Sequence, residues 1–194
     1  MILSEIAEIQ SGLVLSRKEA AAAKEAARLY SRLNIRSLNE NGTIDHSQLE
    51  KFPSKTILDS TVLTHANDIV LKLFTPLNPT LIRLEDEGLV IPSQLAVIRV
   101  FEKKVLPSYL CYWLSTPEAA DIILFHEGWQ SQRSIRIATL AELEVPIPSL
   151  KTQRTISDIA SLQKKRQNLY HALMEEEEKL TSLTIQQAIG GKQK

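Results

Sequence analysis

The sequence predicts an α+β protein. A small mixed β-sheet domain with peripheral helices is expected over residues 1–148, followed by a long C-terminal coiled-coil helix over 149–190 and a disordered tail at 191–194. Three observations carry this expectation. Short apolar segments separated by turn residues fill the first hundred positions. The apolar spacing turns helical from Pro107 onward. From Ser149 a run of about forty residues holds helical periodicity with almost no breaker.

Composition sets modest bounds. The 194 residues include 43% apolar side chains, enough for one cored domain and an appendage. Met1-Ile2-Leu3-Ser4-Glu5 has no basic opening, Glu5 and Glu8 interrupt the apolar residues, and no run reaches transmembrane length, so a soluble cytoplasmic protein without a membrane partner is expected. The lone Cys111 excludes an intramolecular disulfide and any all-cysteine metal cage, and its apolar helical context reads as a buried structural thiol. The formal net charge is zero. A nucleic-acid partner would therefore have to be held by locally placed charge and not by a general field.

Taken in order, Ile2 to Ile9 reads as a short strand that ends at Ser11-Gly12. Arg17 to Arg28 contains Lys18-Glu19-Ala20-Ala21-Ala22-Ala23-Lys24-Glu25-Ala26-Ala27, a strong local helix former that makes a weak core element. Tyr30 to Leu38 switches to period two, with Leu33 and Ile35 on one face and Arg32, Asn34 and Arg36 on the other, which predicts a half-exposed strand. Asn39-Glu40-Asn41-Gly42 is a turn. Asn67-Asp68 leads into a buried strand from Ile69; Leu81 to Arg83 and Leu89 to Ile91 are short strands around Glu85-Asp86-Glu87-Gly88; Gln94 to Phe101 is a buried strand. Helices follow at Pro107 to Leu114, where proline suits the first turn, and from Thr116 or Pro117 to about His126, closed by Gly128.

The prolines of Val145-Pro146-Ile147-Pro148 fix φ and remove two donors, so the long helix can begin only after Pro148, capped by Ser149 or Thr152. Its length would be roughly 50 Å at about 1.5 Å per residue. With Ile159 at heptad position a, the a/d series is Ile159, Leu162, Arg166, Leu169, Leu173, Glu176, Leu180, Leu183 and Gln187, six of nine apolar. Ile159, Leu162, Leu169, Leu173, Leu180 and Leu183 thus form a coiled-coil seam, and Arg166 and Glu176 are placed to fix its register.

No catalytic constellation emerges. The four histidines are isolated, no glycine-rich phosphate loop exists, and Asn78-Pro79-Thr80-Leu81 reads as a turn. A non-enzymatic binding or assembly component without cofactor or metal is expected.

Several motifs in order resemble the DNA specificity subunit of type I restriction-modification systems: Leu3-Ser4-Glu5-Ile6-Ala7-Glu8-Ile9-Gln10-Ser11-Gly12, Ala66-Asn67-Asp68-Ile69-Val70-Leu71, Ile91 to Arg99, Leu106-Pro107-Ser108-Tyr109-Leu110 with Trp113-Leu114, and Val145 to Ile156. Ser149 stands where a second consecutive proline is common in that family. The resemblance implies that residues 1–148 are a target recognition domain reading one half of a split double-stranded DNA site. It further implies that the long helix pairs antiparallel with another, spacing two readers and docking methyltransferase subunits, with which a restriction subunit can associate. One reader and one helix resemble half a subunit, so a homodimer and a bipartite palindromic target are expected. A coiled-coil adaptor that does not bind DNA is the alternative, favoured by the zero net charge.

DNA contact calls for Arg, Lys, Gln and Asn side chains on accessible segments. Gly128 to Arg136 ranks first, with Gln130, Gln132 and Arg133 as base readers and Arg136 on a phosphate; Trp129 reads as core. Arg17 and Lys18 come second, and Arg32, Asn34 and Arg36 third.

Overall fold

The structure is a computed structural model that describes residues 1–128 and 134–190. It divides into two compact units, Met1–Arg154 and Thr155–Lys194.

The first unit is built on a four-stranded sheet in the order β1 (Ala7–Ser11), β6 (Leu95–Val100), β4 (Ile69–Lys72) and β5 (Thr80–Leu81). The three pairings are antiparallel, with Ile98 opposite both Ile9 and Ile69. A separate antiparallel ribbon joins β2 (Arg28–Arg32) to β3 (Glu50–Ser54). Parallel pairing is confined to isolated bridges, Leu13 with Pro92 and Arg32 with Val90.

The central strands are apolar at successive positions because both faces of the sheet are covered, and alternation of side chains then splits them between two cores. Ile69, Leu71, Ala96 and Ile98 pack with helices α1 (Pro107–Leu114), α2 (Pro117–His126) and α3 (Ile137–Ala141) through Leu110, Trp113, Leu114, Ala119, Ile123 and Leu140. Val70, Leu95 and Val97 pack with Leu33, Leu38, Ile82, Leu89 and Ile91 on the other face. A third cluster of Tyr30, Phe52, Leu58 and Val90 lies under the β2–β3 ribbon, where the Tyr30 hydroxyl accepts from the Leu58 amide at 3.0 Å.

Several charges inside this unit are paired. Arg99 on β6 donates from Nε to both Asp68 oxygens at 3.1 and 3.2 Å and from Nη2 to the Leu63 carbonyl at 2.7 Å. His46 Nε2 lies 2.8 Å from buried Asp86 Oδ1, and His65 Nδ1 lies 3.6 Å from Asp68 Oδ2. These histidines sit beside single carboxylates, and among the described residues no group of three or more His, Cys, Asp or Glu could hold a metal ion.

Several sequence expectations need correction. The alanine-rich stretch after Arg17 is not a helix. Only single 3-10 turns form, at Leu15–Arg17 and Ala23–Glu25. A helix of about ten residues without an apolar stripe is marginal in water, and the ribbon captures its backbone: Ala20 N–H donates to Pro53 O, Ala27 N–H to Ser54 O, and Lys55 N–H to Lys18 O, each at 2.8 Å.

The expected strand from Tyr30 to Leu38 is likewise replaced. β2 covers Arg28–Arg32, and a 3-10 turn follows at Ile35–Ser37 because the Asn34 side chain accepts from the Arg36 and Ser37 amides at 2.8 and 2.9 Å. That local cap competes with strand extension and wins. Ile35 is consequently exposed while Leu33 is fully buried.

The segment Ile2 to Ile9 opens with a 3-10 turn at Leu3–Glu5 before β1 begins. Leu89 to Ile91 forms no named strand; its backbone stitches the ribbon to the core through Val90, which donates to Ser31 O at 2.9 Å and accepts from Leu33 N–H at 3.0 Å. Cys111 is half-buried against the helical core, not fully buried. Strand β3 and helix α3 are additional elements.

The chain closes on itself just before the long helix: Met1 O accepts from Val145 N–H at 2.8 Å, and Leu3 N–H donates to Leu143 O at 2.8 Å. Helix α4 then runs from Leu150 to Gly190. Ser149 caps it, its Oγ accepting from the Thr152 amide at 3.2 Å. In the first turn the fully buried Gln153 donates to the Lys104 and Pro148 carbonyls and accepts from the Leu106 amide, all at 2.8–2.9 Å. From Thr155 onward the seam residues Ile159, Leu162, Leu169, Leu173, Leu180 and Leu183 are between 55% and 72% exposed. Among the described residues no helix is long and apolar enough to cross a membrane.

Candidate nucleic-acid interface

The candidate donors fall into two groups along the chain. The first is the segment after α2. Gly128 ends that helix at φ +76°, a conformation that glycine adopts without the strain a side chain brings. Gln130, Gln132 and Arg133, with Trp129, lie outside the described residues. What is described is the base of this segment. Glu127 accepts from the Arg136 amide at 3.0 Å, from the Arg136 guanidinium at 3.2 and 3.3 Å, and from the Thr139 hydroxyl.

Ile135 is buried in the helical core and donates its amide to Leu73 O at 2.8 Å. One carboxylate therefore ties residue 127 to residues 136 and 139. Burial alone would raise the Glu127 pKa; the hydrogen bonds from Thr139 and Arg136 and the Arg136 charge outweigh it and hold the carboxyl below the usual glutamate range. Arg136 itself is 67% exposed, so its guanidinium combines an anchor with an open face.

The second group surrounds the β2–β3 ribbon. Arg17 and Lys18 are exposed on and just after a 3-10 turn. The chain reaches them by way of Gly12, where a Cβ would stand 2.2 Å from Ile91 O and 2.4 Å from Pro92 O, so only glycine fits the close backbone approach. The Lys18 carbonyl then accepts from Lys55 at the end of β3.

Arg28, Lys51 and Lys55 are exposed on or beside the same ribbon. Arg28 stacks over the Tyr30 ring at 5.1 Å, and Lys51 Nζ reaches Ser31 Oγ at 3.4 Å. These three were not singled out by sequence. Period two in Glu50-Lys51-Phe52-Pro53-Ser54 was the available signal, but a proline inside a run weakens a strand reading. Pro53 is tolerated because it stands opposite Leu29 with its carbonyl turned outward to the Ala20 amide, so the donor it lacks faces away from β2.

The third-ranked candidates sit at the other end of the ribbon, and two of them are already engaged. Arg32 donates to Glu50 at 2.5 and 3.0 Å, and its hydrogen bond and charge hold the Glu50 carboxyl below the usual range. The Asn34 amide donates to Gln48 O at 2.6 Å and Glu50 Oε1 at 3.1 Å while its oxygen caps the following turn. Arg36 is exposed.

The described residues thus present a ribbon carrying exposed cations on a sheet domain and a long helix with an exposed apolar seam. Comparison with known proteins supplies the particular family. The family model for the type I restriction modification DNA specificity domain matches residues 1–164, and the chain belongs to that family.

Among solved structures the chain is similar to the HsdS subunit from Thermoanaerobacter tengcongensis, at 17% identity and a TM-score of 0.66, over 98% of this chain and 48% of that one. It is also similar to a chain from a study of complex assembly and conformational transition of the type I R-M system (16%, TM-score 0.60, 94% of this chain and 42% of that chain). A third similar structure is the type I restriction-modification S subunit from M. genitalium (15%, TM-score 0.51, 97% and 43%). At these identities the likeness concerns the fold. The chain spans less than half the length of each of these structures. No curated protein gives a match.

Proposed function

We propose that this chain is a non-catalytic sequence-specificity subunit of a type I restriction-modification system. It recognises one half of a bipartite double-stranded DNA target, docks methyltransferase subunits, and acts as a homodimer through its long helix. Residues 1–148 serve as reader and 149–190 as the dimerising spacer. The observation that carries the reading is the family match over residues 1–164, which spans the sheet domain and the first turns of α4. The exposed seam of α4 supports the dimer, since a lone helix with six apolar residues in solvent gains by covering them.

Within the reader, Gln130, Gln132 and Arg133 are proposed as base readers, because amide and guanidinium groups can pair bidentately with adenine and guanine edges. Arg136, Arg17, Lys18 and Arg36 are proposed as backbone contacts, and Arg32 and Asn34 as residues that hold the ribbon in position.

Selection from random duplexes by the protein with its methyltransferase subunits tests the reading. A bipartite motif with two-fold symmetry is expected, and an Arg133→Ala variant should lose it while keeping its fold. Recovery of no motif would favour a coiled-coil adaptor, the reading that zero net charge supports.

A further inference from the structure

The seam of α4 is interrupted by two charges, and their positions carry information. Arg166 and Glu176 lie five positions either side of residue 171. The apolar seam residues are arranged about the same point: Leu169 and Leu173 at two positions, Leu162 and Leu180 at nine, Ile159 and Leu183 at twelve. The helix is uninterrupted from Leu150 to Gly190, so this symmetry in sequence is symmetry along one continuous rod.

In two antiparallel helices related by a two-fold axis, residues equidistant from the axis oppose one another. With the axis at residue 171 every seam layer is matched: Arg166 meets the second copy's Glu176, each leucine or isoleucine meets another, and Thr155 meets Gln187. Shifting the register by a heptad in either direction sets Arg166 and Glu176 against Ile or Leu. A parallel pair would stack Arg166 on Arg166 and Glu176 on Glu176, two like-charge layers in a partly desolvated seam.

From this we infer the register of that antiparallel homodimer: the two-fold axis lies at the level of residue 171, and reciprocal Arg166–Glu176 ion pairs between the copies fix the alignment. Glu176 already holds Lys179 of its own helix at 2.7 Å, so its second oxygen is available to the arginine. Lys165 and Lys179 of opposite copies approach at the flanks, where solvent screens them and the cost is small. The inference rests on the homodimer reading above and specifies its geometry.

Charge reversal on the full chain tests it, with dimer dissociation measured by sedimentation equilibrium. Arg166→Glu and Glu176→Arg should each weaken dimerisation by about tenfold or more, because each places like charges in a layer, and the double reversal should restore it to within about threefold. In parallel pairing neither single change would alter the sign of any layer.

A second measurement is independent of charge. Leu169→Cys and Leu173→Cys chains should form a disulfide when mixed, and neither should do so alone, as located by peptide mapping. A dimer in which the double reversal is not rescued, or in which either cysteine variant links to itself, overturns the pairing and leaves the homodimer standing. A chain that remains monomeric overturns both.

Discussion

Gln153 makes three hydrogen bonds with no exposed atom, and every one satisfies a backbone group at the start of α4 or in the 104–106 segment. Gln153→Ala leaves those groups buried without partners, a loss of about 2–4 kcal/mol measurable as a lower midpoint in urea. Gln153→Glu should be no better, since a carboxylate cannot donate to two carbonyls.

Glu127 gives a pH-dependent counterpart. Its carboxyl titrates below the unfolded value, so the stability it adds is present above the ordinary glutamate pKa of about 4.3 and lost as pH falls through the lower folded value. Glu127→Gln should lower stability at neutral pH and flatten the acid limb of the stability profile; an unchanged limb would mean that the carboxylate does not tie residue 127 to Arg136 and Thr139. At this scale the sequence was half legible. Arg136 was visible as an exposed donor, but nothing in it announced Glu127, because an isolated acidic residue nine positions upstream carries no periodic signal. Asn34 ranked third among the DNA-contact candidates, and its side-chain oxygen caps the Ile35–Ser37 turn, a role that no apolar spacing signals.

Elements with strong periodicity were legible, and those held by tertiary contacts were not. The buried strands at Ile69 and Leu95, both proline-started helices and the onset of α4 at Leu150 followed from apolar spacing and breakers. The alanine-rich stretch failed because propensity without a buried face is outcompeted by hydrogen bonds to β3.

Gly12 shows the same dependence on context: it read as a pattern break, and its reason is the backbone of Ile91 and Pro92 beside it. Gly12→Ala should destabilise by about 2 kcal/mol or more, because the neighbouring atoms are backbone carbonyls that cannot rotate aside. On α4 the prediction concerns association. Leu169→Asp or Leu173→Asp should convert a dimer to monomers in light scattering with helicity retained, and an unchanged mass would refute the seam.

For the whole molecule, charge distribution and symmetry decide what DNA binding should look like. Net charge is zero, yet Arg17, Lys18, Arg28, Lys51 and Lys55 gather on or beside one ribbon, a clustering invisible until pairing of β3 with β2 brought Lys51, and Lys55 just after it, to the ribbon. Binding should then show a definite salt slope, which Lys18→Ala and Lys51→Ala each reduce by about one if those side chains meet phosphates.

Dimerisation adds a geometric term. In the proposed homodimer two readers on one symmetric spacer would contact half-sites at a fixed separation, and each inserted base pair rotates one half-site by about 35° relative to the other and moves it by about 3.4 Å. The wild-type chain with its methyltransferase subunits should therefore lose affinity by about tenfold or more when the spacer between half-sites is changed by one base pair. The Leu173→Asp variant, binding through one reader, should be weaker at the intact site and indifferent to spacing. Equal spacing dependence in both proteins would mean that the helix seam does not set the separation of the readers.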